Sequence, residues 1–147
     1  MALSNIEIES FMKKYRPNTF HSVKSYDDFD PKMLHNTPFC LVVNTEPKKV
    51  QNGHWCAIFL SSSNVGVFFD SYGLEPFDRI RLFFKYNAKV TYYNQLTLQK
   101  NSYSCGYHCL FFLMQITRGV SLEQIIKRYQ SFKNPDKMVI QFYKQRL

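Results

Sequence analysis

The chain carries four cysteines, Cys40, Cys56, Cys105 and Cys109, and four histidines, His21, His35, His54 and His108. Thiol and imidazole together can carry out nucleophilic acyl transfer when the thiol is held as a thiolate within reach of a base. A helix N-terminus and a neighbouring imidazolium both favour the thiolate. Cys105 meets the first condition by position, because it follows the polar turn Gln99 to Ser104 and opens the most apolar stretch of the chain, Cys105 to Thr117. Gly106 beside it leaves the backbone open to close approach by a substrate carbonyl. Cys109, one helical turn further on, reads as a small core hydrophobe.

The base must come from elsewhere in the chain. His54 follows Gly53 and begins the apolar run Trp55 to Leu60, where a polar side chain is unfavourable without a task or a partner. It is read either as the base or as a satisfied structural histidine. His21 and His35 fall in loops, and His108 lies three residues along the helix from Cys105. A third group must hold the tautomer of the imidazole and stabilise its charge. Asp70 ends the strand after that of His54, so adjacent strand ends can bring the two together; an Asp ahead of Ser-Tyr-Gly also suits a turn. For an oxyanion, the backbone N–H of Cys105 and the side-chain amide of Gln99 can supply donors. Gln95 is the competing amide, but it sits inside the preceding strand and further from the nucleophile.

These residues need elements to position them. Ser4-xx-Glu7 is a capping box followed by Ile8, Phe11, Met12 and Tyr15, which predicts a helix over about 5 to 15. Residues 16 to 38, with three prolines and several aspartates, read mostly as loop. Phe39 to Val43, Trp55 to Leu60 and Val65 to Phe69 predict strands, the last two a hairpin turning at Ser61 to Asn64, with a polar connection over Pro47 to Gly53. Pro76 suits a first helical position for a helix of roughly 75 to 86, and Val90 to Leu98 has strand composition. Cys105 to Thr117 is apolar on every side apart from His108 and Gln115, which predicts a helix buried all round. Ser121-xx-Gln124 caps another helix, and Asn134-Pro135-Asp136 starts a last amphipathic one. The expected class is α+β, one domain over residues 1 to 147, with a small central sheet.

Composition narrows the function classes. With 45% hydrophobic and 20% charged residues the 147-residue chain has globular character, and it is 17% aromatic. The longest apolar runs, Trp55 to Leu60 and Cys109 to Met114, fall far short of the ~20 residues of a membrane span, and the first thirty residues hold no apolar leader segment. A chain of this size does not need disulfide staples, so free thiols in an intracellular, reducing compartment are expected. His54-Trp55-Cys56 and Cys105-xx-His108-Cys109 lack the paired spacing of a zinc site, so no metal is expected. The net charge is +8, and residues 121 to 147 hold six basic side chains against two acidic ones. Such a surface suits contact with a polyanion such as nucleic acid, or is simply soluble.

Four elements in order, Gly53-His54-Trp55, Phe69-Asp70-Ser71-Tyr72-Gly73, Gln99, and Asn101-Ser102-Tyr103-Ser104-Cys105-Gly106, resemble the adenovirus-type (adenain-like) cysteine endopeptidases and the related SUMO-specific proteases. Val43-Asn44-Thr45 and Cys-Gly-Tyr-His-Cys-Leu-Phe-Phe-Leu look most like the viral branch that includes Polinton-type elements and adintoviruses. The resemblance runs over residues 20 to 117. It implies a papain-like α+β fold with Cys105 as nucleophile, His54 as base and later acid, Asp70 as orienter and Gln99 as oxyanion donor. It also implies substrate contacts at Trp55, Gly53 and Gly106 and cleavage beside glycine. The implied substrates are capsid or core precursors, met in the host nucleus or cytoplasm or in the virion by a monomeric enzyme with no membrane partner. No cofactor is expected for the chemistry, while DNA or a viral peptide is an expected activator; the chain has no cysteine between Cys56 and Cys105 to link such a peptide. Two other readings are an isopeptidase acting on SUMO or ubiquitin-like modifiers with the same residues, and a catalytically silent nucleic-acid-binding domain.

Overall fold

The computed structural model describes residues 1–33, 35–47 and 53–147. Its elements, in chain order, are α1 (Asn5–Tyr15), β1 (Phe20–Lys24), β2 (Phe39–Asn44), β3 (Trp55–Leu60), β4 (Val65–Phe69), α2 (Asp78–Asn87), β5 (Val90–Tyr93), α3 (Cys105–Ile116), α4 (Leu122–Gln130) and α5 (Pro135–Lys144). The expected α+β class with a small mixed sheet holds. The connection expected over Pro47 to Gly53 lies mostly outside the described residues.

The five strands form one sheet in sequence order, with β2–β3 and β3–β4 antiparallel and the two outer pairs, β1–β2 and β4–β5, parallel. Alternating side chains divide the core in two. Cys40, Val42, Ala57, Phe59, Val67 and Phe69 face the layer built by α1, α3, α4 and α5, whereas Leu41, Val43, Ile58, Leu60 and Phe68 face Ile80, Phe83 and Phe84 of α2. Both faces being covered explains why β2 and β3 read as continuous apolar runs. On the first of these faces lies α3, eleven of whose residues are buried, His108 and Gln115 included. Among the described residues no helix is long and apolar enough to cross a membrane.

Three boundaries differ from the sequence expectation. Residues 20 to 24, expected mostly as loop, form β1; only Phe20 is buried and the register shifts between Phe20 and Val23, so no alternating pattern marks the strand. β5 stops at Tyr93 rather than Leu98. Asn94 turns the chain there: its side chain donates to the carbonyls of Asp70 (2.8 Å) and Leu96 (2.9 Å) and accepts from the N–H of Leu96 at 2.9 Å. α2 starts at Asp78 behind Phe77, so Pro76 precedes the helix instead of opening it.

Candidate active site

Antiparallel pairing of β3 and β4 sets Ala57 opposite Phe69, so the start of β3 and the end of β4 share one end of the sheet. His54 precedes β3 and is held by the neighbouring chain: its carbonyl accepts from the N–H of Thr45 at 2.8 Å and its own N–H donates to Thr45 Oγ1 at 3.3 Å. Asp70 follows β4. Its Oδ1 lies 2.9 Å from His54 Nε2 and also accepts from the N–H of Tyr72 at 2.8 Å, while Cys56 Sγ donates to Oδ2 at 3.6 Å. Phe69, just before it, stacks on Phe112 of α3 with centroids 4.5 Å apart and planes 6° from parallel. Such a pair contributes about 0.5–1.5 kcal/mol beyond its area and fixes β4 against the helix that begins with Cys105.

Cys105 is the first residue of α3, buried, and its Sγ accepts from the backbone N–H of Trp55 at 3.5 Å. His54 and Cys105 therefore meet where β3 passes the N-terminus of α3. Burial lowers the pKa of His54, but hydrogen bonds to Asp70 and Cys105 and the charges of both outweigh it and raise the value to about 9. A carboxylate only accepts, so Nε2 carries the proton shared with Asp70 and Nδ1 is left for the thiol. The remaining thiols are shifted away from reactivity: burial pushes Cys40 up to about 12, and burial together with nearby charge raises Cys56 and Cys109 well above the ordinary range.

Gln99 is buried, whereas Gln95 is exposed. The Gln99 amide is fixed at both ends, with Oε1 accepting from Ser71 Oγ at 2.5 Å and Nε2 donating one of its two protons to the Asn101 carbonyl at 2.8 Å. Tyr72 completes this side. Its ring stacks on the His54 imidazole at 4.8 Å and its hydroxyl donates to the same Asn101 carbonyl at 3.1 Å. Ser71 and Tyr72 were visible in the sequence only as parts of the Asp-Ser-Tyr-Gly turn, and nothing there separates their contacts from turn formation.

Trp55 is half-buried and packs on the α3 side of the sheet. The glycines have close neighbours of their own. A Cβ on Gly106 would stand 3.2 Å from Leu3 Cβ and 3.5 Å from Trp55 Cδ1, and one on Gly53 would overlap the Asn44 side chain at 1.8 Å. His21 and His35 lie away from this cluster, each beside the Phe39 ring. His108 belongs to a separate buried set: its Nδ1 is 2.8 Å from Tyr129 Oη and its Nε2 2.8 Å from Asp136 Oδ1. Asp136 went unnoticed in the sequence because an acid behind a helix-opening proline is an ordinary first-turn residue.

His54, Cys56 and Asp70 offer ligand atoms within 4.8 Å of one another. The direct His54–Asp70 contact turns two of those atoms toward each other rather than toward a shared ion. What the arrangement can do is move a proton from the Cys105 thiol to an imidazole whose charge Asp70 stabilises.

No protein-family model matches the chain, and no curated protein is similar to it by sequence. Solved structures do match. The crystal structure of the ASFV pS273R protease superimposes with a TM-score of 0.72 at 17% identity, covering 99% of this chain and 67% of that one. Its selenomethionine form gives 0.67 at 16% identity, with 99% of this chain and 68% of that chain covered. The shared feature is the fold, a mixed sheet packed against a buried helix.

Proposed function

We propose that this chain is a cysteine endopeptidase of the adenain-like type, one catalytic unit over residues 1 to 147. A single observation carries the reading: His54, bonded to Asp70 at 2.9 Å, sits against the thiol that opens a buried helix. The likeness of the fold to a viral protease supports it.

In the proposed reaction the Cys105 thiol gives its proton to His54 Nδ1 and the sulfur attacks the scissile carbonyl. The oxyanion is met by the N–H of Cys105 and the amide of Gln99. Collapse breaks the C–N bond as the imidazolium protonates the leaving amine, leaving a thioester. Water, deprotonated by His54, then attacks the thioester, and its collapse releases the carboxylic acid and restores the thiol. Asp70 holds the imidazole and its charge throughout.

The substrate class is an extended polypeptide with glycine beside the scissile bond, with Trp55, Gly53 and Gly106 near the bound backbone, and capsid or core precursors are the natural candidates. The work is placed inside the host cell or the virion, in a reducing compartment where all four thiols stay free, and the enzyme acts as a monomer without membrane contact. DNA or a viral peptide is the proposed activator, drawn by the +8 charge. Stimulation by DNA then weakens steeply as salt rises.

The test is cleavage of an unfolded precursor peptide with glycine before the scissile bond, beside a copy in which that glycine is alanine. Cleavage of the first alone supports the reading. Cleavage of neither, together with capture of a folded ubiquitin-like modifier carrying a C-terminal electrophile, points to the isopeptidase instead.

A further inference from the structure

Asp136 is a buried carboxylate, 6% exposed, that the proposed chemistry does not use. A carboxylate so placed is costly unless donors surround it. Oδ1 accepts from Ser104 Oγ at 2.9 Å and lies 2.8 Å from His108 Nε2, while Oδ2 accepts from the backbone N–H groups of Lys100 at 3.0 Å and Asn101 at 2.9 Å. Three of the four partners, Lys100, Asn101 and Ser104, lie between Gln99 and Cys105, the segment that sets the two oxyanion donors apart, and the fourth, His108, lies one turn into α3.

The polarity of the network is fixed. Burial keeps the Tyr129 hydroxyl protonated by raising its pKa well above the ordinary value, so it donates to His108 Nδ1. Burial also lowers the His108 pKa against the pull of Asp136, which leaves a neutral ring whose Nε2 proton goes to Asp136. Burial opposes ionisation of Asp136, but the bonds from His108, Asn101, Ser104 and Lys100 together hold its carboxyl below the usual range.

Ser104 shows what this achieves. A serine at the N-cap ordinarily turns its oxygen onto the free N–H groups of the first helical turn. Ser104 is the N-cap of α3 and makes no such bond; its hydroxyl goes to Asp136. The N–H groups of Gly106 and Tyr107 that such a cap would engage are therefore left without one, next to the Cys105 N–H that the proposed oxyanion needs.

We infer that Asp136, acting with His108, is a positioning residue for the oxyanion hole: it ties the 100–104 segment to α5 and draws Ser104 away from the first turn of α3. The inference rests on the endopeptidase reading above.

Two probes of Cys105 separate positioning from general structure. An N-acylglycine p-nitrophenyl ester acylates the sulfur through a tetrahedral oxyanion, releasing p-nitrophenolate and leaving a thioester. Iodoacetamide alkylates the same sulfur by displacing iodide, with no oxyanion. Both adducts are located by mass spectrometry in the wild type, Asp136→Asn and Ser104→Ala, the last removing a single arm in case Asp136→Asn does not fold. The expected result is a fall in the saturating acylation rate, about 10- to 100-fold for Asp136→Asn and about threefold for Ser104→Ala, with alkylation within about twofold of wild type. Unchanged acylation in a folded variant, or equal loss with both probes, overturns the positioning role alone. A wild type that is alkylated but never acylated at Cys105 overturns the endopeptidase reading and this role with it.

Discussion

The imidazole of His54 and the carboxylate of Asp70 meet edge to edge, Nε2 to Oδ1 at 2.9 Å, with the carboxylate side chain only 3% exposed. The Tyr72 N–H holds the same oxygen, so the carboxylate keeps its orientation when the imidazole charges and discharges. Asp70→Asn presents an amide in place of a charged acceptor and permits the wrong tautomer. We expect kcat/KM for a glycine-containing peptide to fall about 10²- to 10⁴-fold while the variant stays folded at the assay pH. A loss below threefold would mean that Asp70 serves only the turn.

The pH dependence follows from the same contact. The folded-state pKa of His54 is raised from 6.5 to about 9. A raised histidine contributes stability fully below its unfolded value, and loses that contribution as pH climbs from there through the folded value. Cleavage needs the imidazolium to protonate the leaving amine, so the alkaline limb of the kcat/KM profile should fall near 9. In Asp70→Asn the limb should move toward lower pH; a limb that stays in place in the variant contradicts the assignment.

Gln99 and Ser71 form a second testable pair. Gln99→Ala should lower kcat about 10²- to 10³-fold, the loss seen when one oxyanion donor is removed. Ser71→Ala removes the hydroxyl that faces Oε1 at 2.5 Å and frees the amide to turn over. Its loss should be smaller than that of Gln99→Ala and should vanish in the Gln99→Ala background. Additive losses in the double variant would show that Ser71 acts elsewhere.

The two cysteines of α3 should separate cleanly. Cys105→Ala should abolish cleavage and leave the unfolding temperature nearly unchanged. Cys109, 1% exposed among core side chains, should instead cost about 1 kcal/mol on truncation to alanine and lower the melting temperature by a few degrees while cleavage persists. The reverse pattern would exchange their roles.

Much of this arrangement was legible in the sequence because local chemistry and periodicity agree. Ser4 and Glu7 form the capping box they predict, and so do Ser121 and Gln124. The apolar runs of β2 and β3 and the all-round apolar α3 fixed which elements are central, and the polar residues at their ends became the candidate site. What stayed hidden depends on contacts across long stretches of chain. β1 is an edge strand whose residues alternate poorly, and Asn94 ends β5 through the carbonyl of Asp70, a partner no local pattern reveals. His108 stands out as a polar residue in an apolar helix, but nothing local shows that it pairs with Asp136, 28 residues away.

The most direct test of the central claim is labelling by a peptide electrophile that ends in glycine, with the adduct located by mass spectrometry in the wild type and in His54→Ala, with and without DNA. An activated nucleophile predicts one adduct per chain, on Cys105, that is lost in His54→Ala and leaves Cys40, Cys56 and Cys109 untouched. Slow labelling spread over all four cysteines and indifferent to His54 would contradict the account.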